Sequence, residues 1–244
     1  MAYLLKNNAV FLHVPKTGGT YVHQVLKALC LIRGPLGFNH TDFEHTFWHA
    51  KLHDDTKVFR YILRDWFGSP RAQLKMKPGC FMFCFVREPL SWYESWWRFM
   101  MSIDWRVLGD ESDPQNWYPT AMLNGLGSPD FNTFVHNVLR KRPGFVTEMY
   151  SWYVRPGVTF VGRTEHLRRD LQRAFKLMQL PFDREIFESI PPQNESPAHI
   201  PKPEWDPELR RQVLCVEYAG YVRYGYPVNE ELPVRPLEMT AGAA

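Results

Sequence analysis

The sequence predicts an α/β fold in which a P-loop-like parallel β-sheet is flanked by helices. Three runs of strand-forming residues, at 9–14, 81–86 and 158–161, are each followed by a segment with apolar residues at helical spacing. Strands that alternate with helices in this way are typical of a parallel sheet. At about 150 residues per domain, the 244 residues allow one large domain or two small ones, and one domain over residues 1–244 is expected.

The first strand, residues 9–14 (AVFLHV), leads into a glycine loop. Apolar residues then recur at helical spacing, beginning with Tyr21, Val22 and Val25. The predicted order is therefore strand, glycine loop, helix. The loop residues are Pro15, Lys16, Thr17, Gly18, Gly19 and Thr20.

The segment that follows is rich in aromatic residues and histidine. Residues 43–50 predict a second strand. Asp54 or Asp55 is expected to cap a helix through residues 58–63, and the breaker at 68–70 is expected to end it.

Residues 81–86 (FMFCFV) are apolar without interruption, which favours a strand buried on both faces. Pro89 suits the first turn of a helix predicted over residues 90–101. Residues 102–129 are polar and punctuated by glycine and proline, so they are predicted to leave the sheet as an excursion and are a candidate lid.

The last third of the chain repeats the strand-and-helix pattern. Residues 131–139 predict a helix, and the strand at 158–161 is followed by a helix that Thr164 is expected to cap. The proline-rich residues 191–207 are interpreted as a loop inside the domain, because the helical pattern resumes at 209–218.

Composition and charge narrow the class of function. The 29 Lys and Arg against 26 Asp and Glu give a formal net charge of +3, which suits a small anionic ligand and does not demand nucleic acid. A membrane-spanning helix needs about 20 apolar residues in a row, and the sequence has neither such a run nor a signal peptide. A cytoplasmic protein without membrane contact is predicted. The four cysteines lack zinc-ligand spacing, so reduced thiols and no metal are expected.

The glycine loop is the first chemical motif. Its glycines allow a ligand to approach the backbone N–H groups closely, and the helix behind it offers a positive end to an anion. Lys16 precedes the glycines, whereas the lysine of the Walker A motif follows them. A kinase with a variant phosphate loop stays open as an alternative, and so does an ordinary strand-to-helix turn.

The second motif begins with Arg87, directly after the predicted strand at 81–86. Ser95 follows about two helical turns later. A guanidinium and a hydroxyl together suit a phosphate monoester. The alternative is that Arg87 forms a salt bridge with Glu88.

The two motifs together resemble the PAPS-dependent sulfotransferases (PAPS is 3′-phosphoadenosine 5′-phosphosulfate). The resemblance is nearest to the Golgi-type carbohydrate branch, the heparan and uronyl enzymes, but without that branch's N-terminal membrane anchor. HVPKTGGT at residues 13–20 and FVREPLSWYES at 85–95 are similar to the family's two donor motifs. FVGRTEHLRRD at 160–170 and the residues 193–196 and 225–226 give supporting similarity. The match extends roughly from residue 10 to residue 226.

The resemblance implies transfer of a sulfuryl group from PAPS to an acceptor hydroxyl or amine, leaving PAP. It implies that the glycine loop binds the 5′-phosphosulfate, with Lys16 as the cation at the leaving group, and that Arg87 and Ser95 hold the 3′-phosphate. Arg163 is a further candidate for contact with donor or acceptor. The loop that contains Asn194 and Ser196 is expected to close over the donor.

The general base is left open among three residues. Histidine is the most frequent general base near neutral pH, and His40, His45, His49 and His53 precede the second motif. By resemblance His53 fits best and His49 second, and Glu44 is a third candidate.

A third class of function is a non-catalytic glycan-binding module on the same fold. It would use tryptophan rings as stacking platforms. The sequence leaves the acceptor and the oligomeric state open. The tryptophans considered for stacking are Trp92, Trp96, Trp97, Trp117 and Trp152.

Overall fold

The computed structural model describes residues 2–36, 40, 42–44, 79–109, 118–191 and 200–228. Within these ranges, one mixed sheet has five strands in the order β3-β1-β2-β4-β5. The strands are β1 Ala2–Leu5, β2 Val10–Leu12, β3 Ile32–Leu36, β4 Met82–Val86 and β5 Phe160–Arg163.

Helices cover both faces of this sheet. None of them, in the described ranges, combines the length and apolar character needed to cross a bilayer. The helices are α1 Gly19–Ala28, α2 Pro89–Ser102, α3 Phe131–Lys141, α4 Phe145–Tyr153, α5 Leu167–Leu177, α6 Arg184–Ser189, α7 Pro207–Val216 and α8 Tyr218–Tyr224.

The predicted parallel sheet is confirmed in its central part. Strand β4 pairs in parallel with β2 on one side and with β5 on the other. The antiparallel strands β1 and β3 extend the sheet beyond β2, and the sequence prediction missed both. Strand β3 contains Gly34 and Pro35, which read as turn residues, but proline is tolerated in an edge strand such as this one.

The uninterrupted apolar run at 81–86 is explained by burial on both faces. Phe83 and Phe85 point into a core formed with α1, α5 and α6. Met82, Cys84 and Val86 point into the larger core formed with α2, α3, α4, α7 and α8. Successive side chains of a strand alternate between faces, so both sets are removed from water.

The tryptophans of α2 belong to the larger core. Trp92, Trp96 and Trp97 are buried, and the rings of Trp92 and Trp96 stack with their centroids 5.6 Å apart. Rings enclosed by protein cannot stack on a sugar, so these three tryptophans do not support the alternative of a glycan-binding module. Trp152 is partly buried, and Trp117 lies outside the described residues.

Helix α2 confirms the helix predicted over 90–101. Pro89 occupies its first turn, and the Glu88 side chain caps it by accepting from the Ser91 N–H at 2.7 Å. The excursion at 102–129 is described only at its two ends. There the Asn124 amide nitrogen donates to the Leu108 and Gly109 carbonyls and so ties the ends together. The role of a lid stays a prediction.

Several local predictions needed correction. The third parallel strand begins at Phe160, two residues later than predicted. Thr164 does not cap α5, because it lies in a 3₁₀ turn and its hydroxyl donates to the Val86 carbonyl at 3.0 Å. The strand predicted from residue 43 is wrong at Phe43 and Glu44, whose backbone is helical.

Other predictions fall partly or wholly outside the described residues. These are the remainder of the strand at 45–50, the helix at 54–63 with its breaker at 68–70, and residues 192–199 of the proline-rich loop. The described end of that loop leads into α7, which Asp206 caps with Pro207 in the first turn. The helix expected at 209–218 is therefore present, although it divides at Glu217 into α7 and α8.

Candidate active site

The carboxyl ends of β2, β4 and β5 lie at one edge of the sheet. Their parallel register pairs Leu12 with Cys84 and Val86 with Arg163. The segments that follow the three strands therefore meet at this edge, which is where open α/β sheets bind ligands. Both chemical motifs of the sequence fall here.

The glycine loop between β2 and α1 turns through two residues with positive φ. Lys16 has φ +60° and Gly18 has φ +78°. A Cβ atom on Gly18 would lie 2.4 Å from a methyl group of Leu167, so the position requires glycine for both conformation and space. A lysine in the left-handed region is strained, and such strain is concentrated at functional sites.

Gly19 begins α1 directly beneath the His13 ring. A Cβ atom there would lie 1.8 Å from the ring carbon Cδ2. Glycine is thus required for the close approach of helix and ring. Thr20 follows, partly exposed in the first turn of α1. This turn carries no acidic residue and presents N–H groups to an anion.

Thr17 and Pro15 hold the glycine loop in place through hydrogen bonds. The buried Thr17 hydroxyl donates to the Val14 carbonyl at 3.0 Å, so its proton is engaged within the loop. The Pro15 carbonyl accepts from the Trp92 indole N–H at 2.9 Å, which joins the loop to α2.

Lys16 and Arg87 come together at this edge. An Arg87 guanidinium nitrogen lies 3.5 Å from the Lys16 carbonyl oxygen, and the Lys16 ammonium lies 4.4 Å from the centroid of the Phe99 ring. Burial, with a further contribution from the charge of Arg87, lowers the pKa of Lys16 to about 8. Among the described residues, neither cation has a carboxylate partner. This arrangement of two cations is suited to an anionic ligand.

Glu88 does not form the alternative salt bridge with Arg87. Its carboxylate caps α2 and also accepts from the Tyr221 hydroxyl. Ser95 lies two turns into α2 and is partly buried.

Arg163, at the end of β5, holds the C-terminal segment. Its guanidinium donates to the Gly225 carbonyl at 2.9 Å and lies over the Tyr226 ring, 5.5 Å from its centroid. Glu165, two residues later, accepts from the Tyr226 hydroxyl at 3.1 Å. A contact of Arg163 with donor or acceptor stays a prediction.

Comparison with known protein families matches residues 5–227 to the sulfotransferase family. The chain belongs to the sulfotransferase family. The match covers both motifs and all three parallel strands, so the loop and the cation pair lie in the domain that transfers a sulfuryl group in this family. No significant match was found to a curated protein or to a solved structure.

The candidate bases predicted from the sequence can be located in only one case. His49 and His53 lie outside the described residues, and so do the predicted donor contacts Asn194 and Ser196. Glu44 is exposed and forms a salt bridge of 3.1 Å with Arg155.

The structure instead brings His13 and His40 together beside the glycine loop. Their ring centroids are 4.4 Å apart, and His40 Nδ1 lies 3.1 Å from the His13 carbonyl oxygen. A carbonyl only accepts, so Nδ1 carries the proton and the lone pair is on Nε2. Burial lowers the pKa of His40 to about 3 and that of His13 well below its usual value, and the nearby Lys16 charge adds to both effects. Both rings are therefore neutral at neutral pH.

Sequence reasoning did not select either ring. The position of His13 at the carboxyl end of a parallel strand was a usable signal. His40 had none beyond its place in the histidine-rich segment, because its approach to the loop depends on tertiary structure.

Proposed function

We propose that this sulfotransferase uses PAPS as donor and transfers its sulfuryl group to an acceptor hydroxyl or amine, releasing PAP. The acceptor is a carbohydrate or another small molecule. The observation that carries the proposal is the convergence of Lys16 and Arg87 at one edge of the sheet without a carboxylate partner among the described residues. PAPS and PAP carry anionic groups at both the 5′ and the 3′ positions, so they suit two cations that lie on neighbouring connections at one edge of the sheet.

The residues of the edge fit the two ends of such a donor. Gly18, Gly19 and Thr20 present backbone N–H groups at the start of α1, and Lys16 supplies a positive charge at the 5′ end. Arg87 and Ser95 are assigned to the 3′-phosphate. PAPS supplies the activated sulfuryl group and a phosphate leaving group.

Lys16 acts through its charge. An anion that binds beside it favours the ammonium form and offsets the burial that lowers its pKa. The charged side chain is then available to neutralise the charge that develops on a leaving phosphate.

His40 joins His53, His49 and Glu44 as a candidate base through the orientation of its ring, whereas the burial that lowers its pKa to about 3 makes it a weak base at neutral pH. Its Nδ1–H is oriented by the His13 carbonyl, so Nε2 is left to receive a proton from an acceptor. A His40→Ala variant is expected to lower the turnover rate while PAP affinity stays at the wild-type value. Loss of PAP affinity together with turnover would contradict this role.

Calorimetric titration with PAP tests the donor assignment. Lys16→Ala and Arg87→Ala should each weaken PAP binding by about 1.5–3 kcal/mol, the usual range for a hydrogen bond to a charged group. Arg184→Ala, which removes an exposed cation of α6 paired with Glu188, is the matched control and should bind PAP normally. Absence of PAP binding by the wild-type protein would refute the proposal.

The two alternative functions predict different results. A kinase with a variant phosphate loop would be stabilised against heat by Mg-ATP and not by PAP. A glycan-binding module would bind glycan without turnover of PAPS. The family match and the buried α2 tryptophans favour the sulfotransferase over both.

A further inference from the structure

Arg87 lies in a gap between two regular elements. Strand β4 ends at Val86, which pairs with Arg163 of β5, and α2 begins at Pro89. The Arg87 N–H and C=O and the Glu88 N–H therefore have no partner in the sheet ladder or in the helix. These three backbone groups need other partners.

Glu88 finds its partners nearby. Its N–H donates to a Glu165 carboxylate oxygen at 2.8 Å, and its carbonyl accepts the first helical hydrogen bond, from the Trp92 N–H at 2.9 Å. The start of α2 is thus fixed without help from α4.

Arg87 depends on one distant hydroxyl. The Tyr150 oxygen accepts from the Arg87 N–H at 3.1 Å, and the same hydroxyl donates to the Arg87 carbonyl at 2.8 Å. Tyr150 lies on α4 and is fully buried. Burial raises its pKa well above the usual tyrosine value, so the group remains a phenol that can donate.

We infer that Tyr150 is a positioning residue for Arg87 and, through it, for the 3′-phosphate of the donor. This inference rests on the proposed function. Both hydrogen bonds are to the main chain of Arg87, so they fix the direction in which its side chain leaves the end of β4. That direction brings the guanidinium to the Lys16 carbonyl.

Tyr150→Phe removes the hydroxyl and keeps the ring. Calorimetric titration should show PAP affinity reduced about tenfold, the equivalent of about one lost hydrogen bond. Adenosine 5′-phosphate lacks the 3′-phosphate, so its affinity should stay within about twofold of the wild-type value. A purely structural role of Tyr150 would affect the two ligands alike.

Tyr93→Phe is the matched control. Tyr93 is buried in the same core, and its hydroxyl donates to Glu217 at 2.9 Å, away from Arg87. We expect this variant to lower the melting temperature about as much as Tyr150→Phe and to leave PAP affinity unchanged.

A double variant tests whether Tyr150 affects PAP binding only through Arg87. In an Arg87→Ala background, adding Tyr150→Phe should lower PAP affinity no further. A further loss there, wild-type PAP affinity in Tyr150→Phe, or parallel loss of both ligands would each overturn the inference. Absence of PAP binding by the wild type would instead overturn the proposed function and this inference with it.

Discussion

The two cations of the site are held by different means. The loop that carries Lys16 follows β2, and its shape comes mainly from its own residues, because Gly18 allows a positive φ and Gly19 allows close contact with His13, while the Trp92 indole holds the Pro15 carbonyl. The turn that carries Arg87 follows β4 and contains no glycine. Its shape comes from side chains far away in the sequence, Tyr150 and Glu165. The local sequence therefore largely determines the Lys16 loop. The Arg87 turn takes its shape only after the helices have packed.

The largest effect is expected from a change in the loop that carries Lys16. Gly19→Ala places a methyl group within the His13 ring, so either the ring or the first turn of α1 must move. We expect PAP affinity to fall about 50-fold, near the upper end of the 1–3 kcal/mol typical of overpacking. Calorimetric titration measures this. Gly125→Ala, where an added Cβ meets nothing within 4 Å, is the control, and equal affinity in both variants would contradict the prediction.

Gly18 and Gly125 form a second matched pair, because their φ angles are +78° and +77°. Alanine at either position carries the strain of the left-handed region, about 1–2 kcal/mol. Alanine at Gly18 also crowds Leu167. Gly18→Ala should lower the free energy of unfolding by about 1 kcal/mol more than Gly125→Ala. Denaturant unfolding of both variants checks this, and equal losses would show that Leu167 moves aside freely.

The pH dependence of PAP binding sharpens the comparison of the two cations. In the proposed site the ammonium form of Lys16 binds the anion, and burial lowers the pKa of Lys16 to about 8 in the free protein. Raising the pH from 7 to 9 deprotonates free Lys16, so PAP affinity should fall about tenfold. Arginine keeps its charge in this range.

Titrations at several pH values measure the fall. Lys16→Arg is the control and should show little change between pH 7 and 9. A wild-type affinity that is flat over this range would contradict the role of a lysine with a lowered pKa.

The smallest effect is expected from a change to Glu165, which supports the turn that carries Arg87. Glu165 is exposed and accepts from the Glu88 N–H and the Tyr226 hydroxyl. Glu165→Gln keeps the shape and removes the charge, so PAP affinity should fall about threefold, since each such bond contributes about 0.5–1.5 kcal/mol. Glu148→Gln, on the exposed face of α4, is the control. Equal PAP affinity in the two variants would assign Glu165 no part in the site.

The contrast between the Lys16 loop and the Arg87 turn also explains which parts of the structure could be predicted from the sequence. The parallel strands and the glycine loop depend on neighbouring residues, so apolar runs and glycine spacing were sufficient to find them. The antiparallel strand β3 was missed because Gly34 and Pro35 look like turn residues until the strand is seen at an edge.

The supports of Arg87 could not be predicted. Tyr150 lies 63 positions further along the chain, and only the packing of α4 against the sheet brings its hydroxyl to Arg87. The burial of the α2 tryptophans likewise depends on packing, because composition alone does not tell whether a ring lies in the core or at a binding surface. The approach of His40 to the loop is likewise a tertiary contact.

The contact between the Arg87 guanidinium and the Lys16 carbonyl links the Lys16 loop to the Arg87 turn. The charge of the Arg87 guanidinium also contributes to the lowered pKa of Lys16, so the two side chains interact electrostatically. The effects of Lys16→Ala and Arg87→Ala on affinity should therefore not be additive in a double-mutant cycle.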